Sequence, residues 1–189
     1  MSFDLQLFNF AHGITDLSPI LDWVVVFFAQ YLPYVAALIA FIIIVREKVW
    51  KKKIWAFLVL TFSFVFSKGF VVEAIHYFYD RPRPFLALGL NPLFPELSNA
   101  FPSSHAVILT TIALVIYLLN RKAGVWFFIF AIVNGITRVV AGVHWPTDIV
   151  GGIILAFFGV FLALKLFPER EYISSPHQEE KVEESIAHE

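Results

Sequence analysis

At 189 residues, with 59% hydrophobic and only 15% charged side chains, the chain is too apolar for an ordinary soluble domain, which is nearer a quarter charged. The net charge of -1 carries no signal for nucleic acid, and the basic residues form no binding stripe, so that class is set aside. The absence of cysteine excludes disulfides, thiolate metal sites and cysteine nucleophiles.

The opening, MSFDLQLFNFAHGITD, has no basic n-region and no small-residue cleavage site, so no cleaved signal peptide is expected. Phe3 to Phe10 is short and mixed, and reads as a helix lying on the membrane surface. A hydrocarbon core of about 30 Å needs roughly 20 apolar residues per helix. Five stretches qualify: Pro19 to Val45, Ile54 to Tyr77, Ser103 to Leu119, Ala123 to Val140 and Thr147 to Phe167. Pro33 either kinks the first of these or splits it into a re-entrant piece and one span. The expected fold is an all-α polytopic membrane bundle of about six helices, five spanning plus the N-terminal interfacial one. It occupies residues 1–167. Residues 168–189 are acidic and poor in apolar side chains, too poor to order themselves, and are expected to be a disordered tail.

Lysine and arginine set the orientation. REKVWKKK holds five basic residues and NRK two, and the positive-inside rule puts both on the cytoplasmic side. Parity then puts the N-terminus, the loop Phe78 to Pro102 and the turn Ala141 to Pro146 outside, and the tail in the cytoplasm. Arg81 and Arg83 break the rule, as a functional demand for them would require.

Three polar clusters then share the outer face: HYFYDRPRPF, FPSSH and RVVAGVHWPTD. In FPSSH, Pro102 suits the first position of a helix. Ser103 and Ser104 would then offer free N–H groups at a positive dipole end, a site for phosphate, with His105 in the same turn. The same residues also suit a plain helix start with an interfacial histidine. In HWPTD, Pro146 again suits a first helical position. Asp148 can reach back to the cap and accept a hydrogen bond from His144, or it can simply cap the helix. Arg138 lies about a turn inside its span, where a lipid-facing arginine is costly unless it snorkels. Jointly, Arg83, Arg138, His105, His144, Asp148 and two helix N-termini make a phosphoryl-transfer kit: anion clamp, nucleophile, orienting carboxylate and leaving-group acid. The arginines supply the positive charge a metal would bring. They also argue against His105, His144 and Asp148 as metal ligands, so neither metal nor cofactor is expected.

In order and spacing these clusters resemble the type-2 phosphatidic acid phosphatase superfamily, whose pattern is Lys-x6-Arg-Pro, Pro-Ser-Gly-His and Ser-Arg-x5-His-x3-Asp. Here the third motif reads TRVVAGVHWPTD and the second PSSH, and the first ends at Arg83 and Pro84. His76 stands in the lysine position, Ser104 in the glycine position and Thr137 in the serine position. The resemblance implies a phosphohistidine mechanism. His144 would attack phosphorus, Asp148 would orient it, and His105 would protonate the leaving oxygen and then activate water. Arg83, Arg138, Ser103 and Ser104, with His76 a weaker candidate, would hold the phosphate oxygens. Within the superfamily, the short body and the opening residues are similar to bacterial undecaprenyl-diphosphatases of the bacitracin-resistance type. That implies a multi-pass protein of the bacterial plasma membrane acting on a polyprenyl or other lipid phosphate at the outer face. The phosphate clamp by itself does not separate that lipid from phosphatidic acid, phosphatidylglycerol phosphate or a lipid A phosphate. It leaves the oligomeric state open, and an anion-binding transporter without turnover stays as a rival.

Overall fold

The computed structural model describes residues 3–15 and 17–168 of the chain. Among them seven helices and no strand form: α1 (Phe3–His12), α2 (Pro19–Arg46), α3 (Trp50–Phe78), α4 (Pro84–Leu88), α5 (Ser104–Leu119), α6 (Arg121–Val140) and α7 (Pro146–Leu166). From residue 169 onward, the expected acidic tail lies outside the described residues. The bundle wears its large apolar side chains outward. Trp23, Phe41, Phe70, Ile154 and Phe161 are all more than half exposed, as suits a lipid-facing surface.

Hydropathy leads one to expect five spans, but by length and composition four helices qualify: α2, α3, α6 and α7. The difference is α5. Its 16 residues reach about 24 Å at 1.5 Å per residue, short of a bilayer core of about 30 Å. It is also the central helix, packed against α6 and α7 and flanked by α2 and α3. A helix sheltered by neighbours does not have to match the thickness of the lipid around it. The loop expected from Phe78 to Pro102 also contains a short helix, α4, started by Pro84 and ended by Gly89 in the left-handed region (φ 65°).

Pro33 does not split α2. The helix runs on through it, preceded by a π-helical stretch at Phe27–Tyr31. Proline carries no N–H, so the carbonyls it would have engaged, near Phe28 and Ala29, are left without a helical donor. Side chains from α6 fill the gap. Asn134 Nδ2 donates to Phe28 O at 2.7 Å and to Ala29 O at 3.0 Å, and Arg138 Nη1 donates to Ala29 O at 3.2 Å. A helix defect in α2 thereby becomes a mooring for two polar side chains of α6. A second π-helical stretch, Val65–Val72 in α3, lets Ser67 Oγ donate to Leu155 O at 3.2 Å.

Pro102 is not the first residue of α5. Ser103 is the cap, its Oγ facing Ala106 N at 3.5 Å, and Pro102 stands one residue outside. A serine oxygen can take up an orphan first-turn amide, which proline cannot do. The expectation for α7 holds: Pro146 is its first residue, and Asp148, in the third position, accepts the Trp145 N–H at 2.8 Å. Gly152 brings α7 down onto the start of α5. A Cβ there would meet Ser103 O at 2.6 Å and Ala106 Cβ at 2.8 Å. At that contact Ser103 N donates to Asp148 O at 3.0 Å, tying the two helix starts together.

Candidate active site

Four chain segments meet at the end of the bundle where α5 and α7 begin. Arg83 comes from the approach to α4, Arg138 from the last turn of α6, His144 from the turn after it and Asp148 from the first turn of α7. The turn between α6 and α7 is tight. Gly142 has φ 81°, a conformation side chains rarely adopt, and Val143 N donates to Arg138 O at 3.2 Å. This reversal folds His144 back over Arg138.

His144, Arg83, Arg138 and Asp148 are all buried. The His144 Nδ1 edge lies 3.3 Å from Asp148 Oδ2. An ionised carboxylate only accepts, so Nδ1 carries the proton and Nε2 keeps its lone pair. Nε2 faces both guanidiniums, 3.3 Å from Arg83 Nη1 and 3.2 Å from Arg138 Nη2. Burial first, then the charges of Arg138 and Arg83, hold the His144 pKa well below the ordinary histidine range, so the ring is neutral.

Each guanidinium is itself held from behind. Arg83 Nε donates to Ser98 O at 2.6 Å, Nη1 to Val143 O at 2.7 Å and Nη2 to Ser98 Oγ at 2.9 Å. Burial pulls the Arg83 pKa below its ordinary value, and Glu96 opposes that pull. Arg138 rests on Ala29 O and on the ring of Phe94, 5.9 Å from its centroid. Glu96 joins the two cations, with Oε1 3.2 Å from Arg83 Nη2 and Oε2 bonded to Arg138 Nη2. Its carboxylate holds the position that two arginine forks offer to an oxyanion.

The start of α5 flanks this group. Ser104 and His105 lie in its first turn, where backbone N–H groups have no acceptor within the helix. His105 lies within charge–charge range of Arg138, Arg83 and His144. His105 Nδ1 and Arg138 Nε are buried and have no hydrogen-bond partner among the described residues.

The structure thus gathers Arg83, Arg138, His144 and Asp148, with Ser104 and His105 beside them. Two expected members stand differently. The Ser103 N–H is taken by Asp148 O, and its hydroxyl oxygen accepts the Ala106 N–H in the cap, so Ser103 offers no free backbone donor. His76 turns its Nε2 to Pro102 O at 3.3 Å, while Asn99 Nδ2 donates to His76 O at 2.6 Å; the ring braces the approach to α5 and does not join the guanidiniums. Sequence reasoning missed Glu96, Ser98 and Asn134. Glu96 had one available signal: two buried arginines demand a counter-charge, and the outer loop carries only Asp80 and Glu96 as carboxylates. No group of three or more metal-ligating side chains forms among the described residues.

The PAP2 superfamily model matches residues 65–172. The chain is 30% identical to the bacitracin transport permease protein BcrC of Bacillus licheniformis, over 97% of this chain and 90% of that one. It is also 30% identical to the undecaprenyl-diphosphatase BcrC of Bacillus subtilis strain 168, over 83% and 80% of the two chains. Among solved structures, Aquifex aeolicus LpxE superposes with a TM-score of 0.67 at 28% identity, covering 87% of this chain and 96% of that one.

Proposed function

We propose, because this chain belongs to the PAP2 superfamily of membrane phosphatases, that it hydrolyses undecaprenyl diphosphate to undecaprenyl phosphate at the outer face of the bacterial plasma membrane, through a phosphohistidine. The observation that carries the mechanism is His144, with Nδ1 against Asp148 and Nε2 between two guanidiniums. The undecaprenyl substrate is taken from the relative of that name and from the length over which this chain matches it.

The terminal phosphate takes the forks of Arg83 and Arg138 from Glu96, and reaches the first-turn amides of Ser104 and His105. His144 Nε2 attacks phosphorus as the P–O bond to the lipid phosphate breaks. Positive charge developing on the ring is met by Asp148 through Nδ1–H. His105 gives its proton to the leaving oxygen. It then takes one from water, whose oxygen attacks phosphorus; the P–N bond breaks and inorganic phosphate is released. The arginines meet the charge on the equatorial oxygens throughout. Basic residues at the other end of the bundle, in REKVWKKK and NRK, support an outward-facing site, with α5 as the short fifth crossing.

The reading is tested by phosphate release from detergent-purified protein in EDTA, against undecaprenyl diphosphate, phosphatidic acid, phosphatidylglycerol phosphate and a lipid A phosphate. The highest kcat/KM is expected on the diphosphate. A clear preference for another lipid would move the substrate assignment, and loss of turnover restored by magnesium would overturn the metal-free mechanism.

Glu96 makes a separate expectation. A carboxylate that shares the clamp competes with phosphate, so Glu96→Gln should tighten inhibition by orthovanadate by about tenfold, at some cost in thermal stability. Inhibition constants for the two proteins check it. An equal or weaker vanadate effect in the variant would mean that the oxyanion binds elsewhere.

A further inference from the structure

Asp148 has two oxygens, and only one is accounted for by His144 and the helix cap. Oδ2 faces His144 and accepts the Trp145 N–H. Oδ1 accepts from Arg81 Nη1 at 2.5 Å. The same nitrogen donates to Thr147 Oγ1 at 2.8 Å, and Arg81 Nη2 donates to Asp4 Oδ2 at 2.6 Å. Asp4, on α1, also accepts the Thr147 N–H at 3.1 Å and the Thr147 hydroxyl at 2.8 Å. The Arg81 guanidinium lies over the Trp145 and Phe101 rings, 5.7 Å and 6.0 Å from their centroids.

We propose that Arg81 is a positioning residue for Asp148 and that Asp4, from the N-terminal helix, holds Arg81 in place. The inference rests on the reading of His144 as nucleophile and Asp148 as its orienting carboxylate. Asp148 is fully buried, whereas Arg81 is partly exposed. A buried carboxylate keeps its charge only with partners on both oxygens, and Arg81 is the partner of the second. The planar fork lets one side chain meet Asp148 and Asp4 from different nitrogens, a geometry an ammonium cannot reproduce in full. Asp4 adds a negative charge and an acceptor at the start of α7, where free amides and the helix dipole favour both. Helix α1 is fixed there by Phe8, which packs against Trp145 at 5.3 Å between ring centroids. Arg81 makes no contact with the His144 Nε2 edge, where Arg83 and Arg138 lie. Its direct bond to the catalytic group is the one to Asp148. The charged groups facing Asp148 are Arg81, Asp4 and Arg83, with the His144 ring at Oδ2.

The test compares the full-length parent with Arg81→Gln, Arg81→Lys, Asp4→Asn, Asp148→Asn and the Arg81→Gln/Asp148→Asn double variant, on the lipid phosphate the parent turns over fastest. Arg81→Gln is expected to lower kcat about 10- to 100-fold while KM stays within about twofold. Arg81→Lys should recover part of the loss, and Asp4→Asn should lower kcat in the same direction by less. The double variant should be no slower than Asp148→Asn alone, as expected of residues acting as one unit. A raised KM with kcat unchanged, no recovery in Arg81→Lys, or an equal further loss in the Asp148→Asn background would overturn the inference. Parent-like turnover by His144→Ala would overturn both this inference and the mechanism it rests on. Slow turnover by His144→Ala with an unaffected Arg81→Gln would remove the inference alone.

Discussion

A His144→Ala protein is expected to release lipid phosphate at least about 10^4-fold more slowly than its parent, with its fold retained. The size follows from what the side chain does. Alanine removes the atom that would bond to phosphorus, so the two-step route closes and only direct attack by water remains. The two arginines would still bind the phosphate, so KM should change far less than kcat. His144 is buried among polar partners, so a second variant, His144→Asn, guards against a folding artefact by keeping polar atoms and much of the volume. Both should fail equally in turnover while melting near the parent. Activity within tenfold of the parent in a folded His144→Asn protein would eliminate this ring as the nucleophile.

Arg138→Lys should cost about 100- to 1,000-fold in kcat/KM, the scale for losing an oriented donor at a developing oxyanion. The substitution keeps the charge, so whatever is lost belongs to geometry. The arginine spans Ala29 O on one side and Glu96 on the other, with Nε buried and free of protein partners among the described residues. A lysine ammonium has no fixed fork and cannot hold the α2 carbonyl while presenting two parallel donors to phosphate. The measurement is kcat/KM for both proteins, with melting temperatures alongside. A loss under threefold would show that charge alone suffices and that the fork is incidental.

Much of the site was legible in advance because it consists of local patterns. Pro146 and Asp148 are two residues apart, so the helix start and its reaching carboxylate follow from the spacing alone. Arg138 and His144 are close in sequence, and the glycine between them permits the reversal that stacks one over the other. The α5 start was placed at Pro102, whereas the helix begins at Ser104 with Ser103 as its cap, because proline and serine compete for helix starts and Ser103, unlike Pro102, can accept an amide. Ser103 was taken for a phosphate donor because its N–H looks free in sequence, whereas Asp148 O, brought near by Gly152, occupies it. Arg81 stood out in sequence only as a break in the positive-inside rule, with no place among the candidate site residues. Its partner Asp4 lies 77 residues earlier in the chain, and no local pattern connects them.

Composition and hydropathy, by themselves, determined that the protein is helical and membrane-embedded. The spacing of arginine, histidine and aspartate determined its family. Both are short-range properties: apolar length is a matter of contiguous residues, and helix starts follow from their neighbours. Tertiary structure alone decided that α5 is a short central helix, because enclosure by neighbouring helices is not written in its hydropathy. It decided that the break at Pro33 becomes a mooring for Arg138, that Glu96 joins the two guanidiniums, and that α1 reaches Asp148 through Arg81. Each of these joins groups far apart in the chain, in a buried setting where an unpaired charge or carbonyl is costly, and only the packing of the helices determines which partner is within reach.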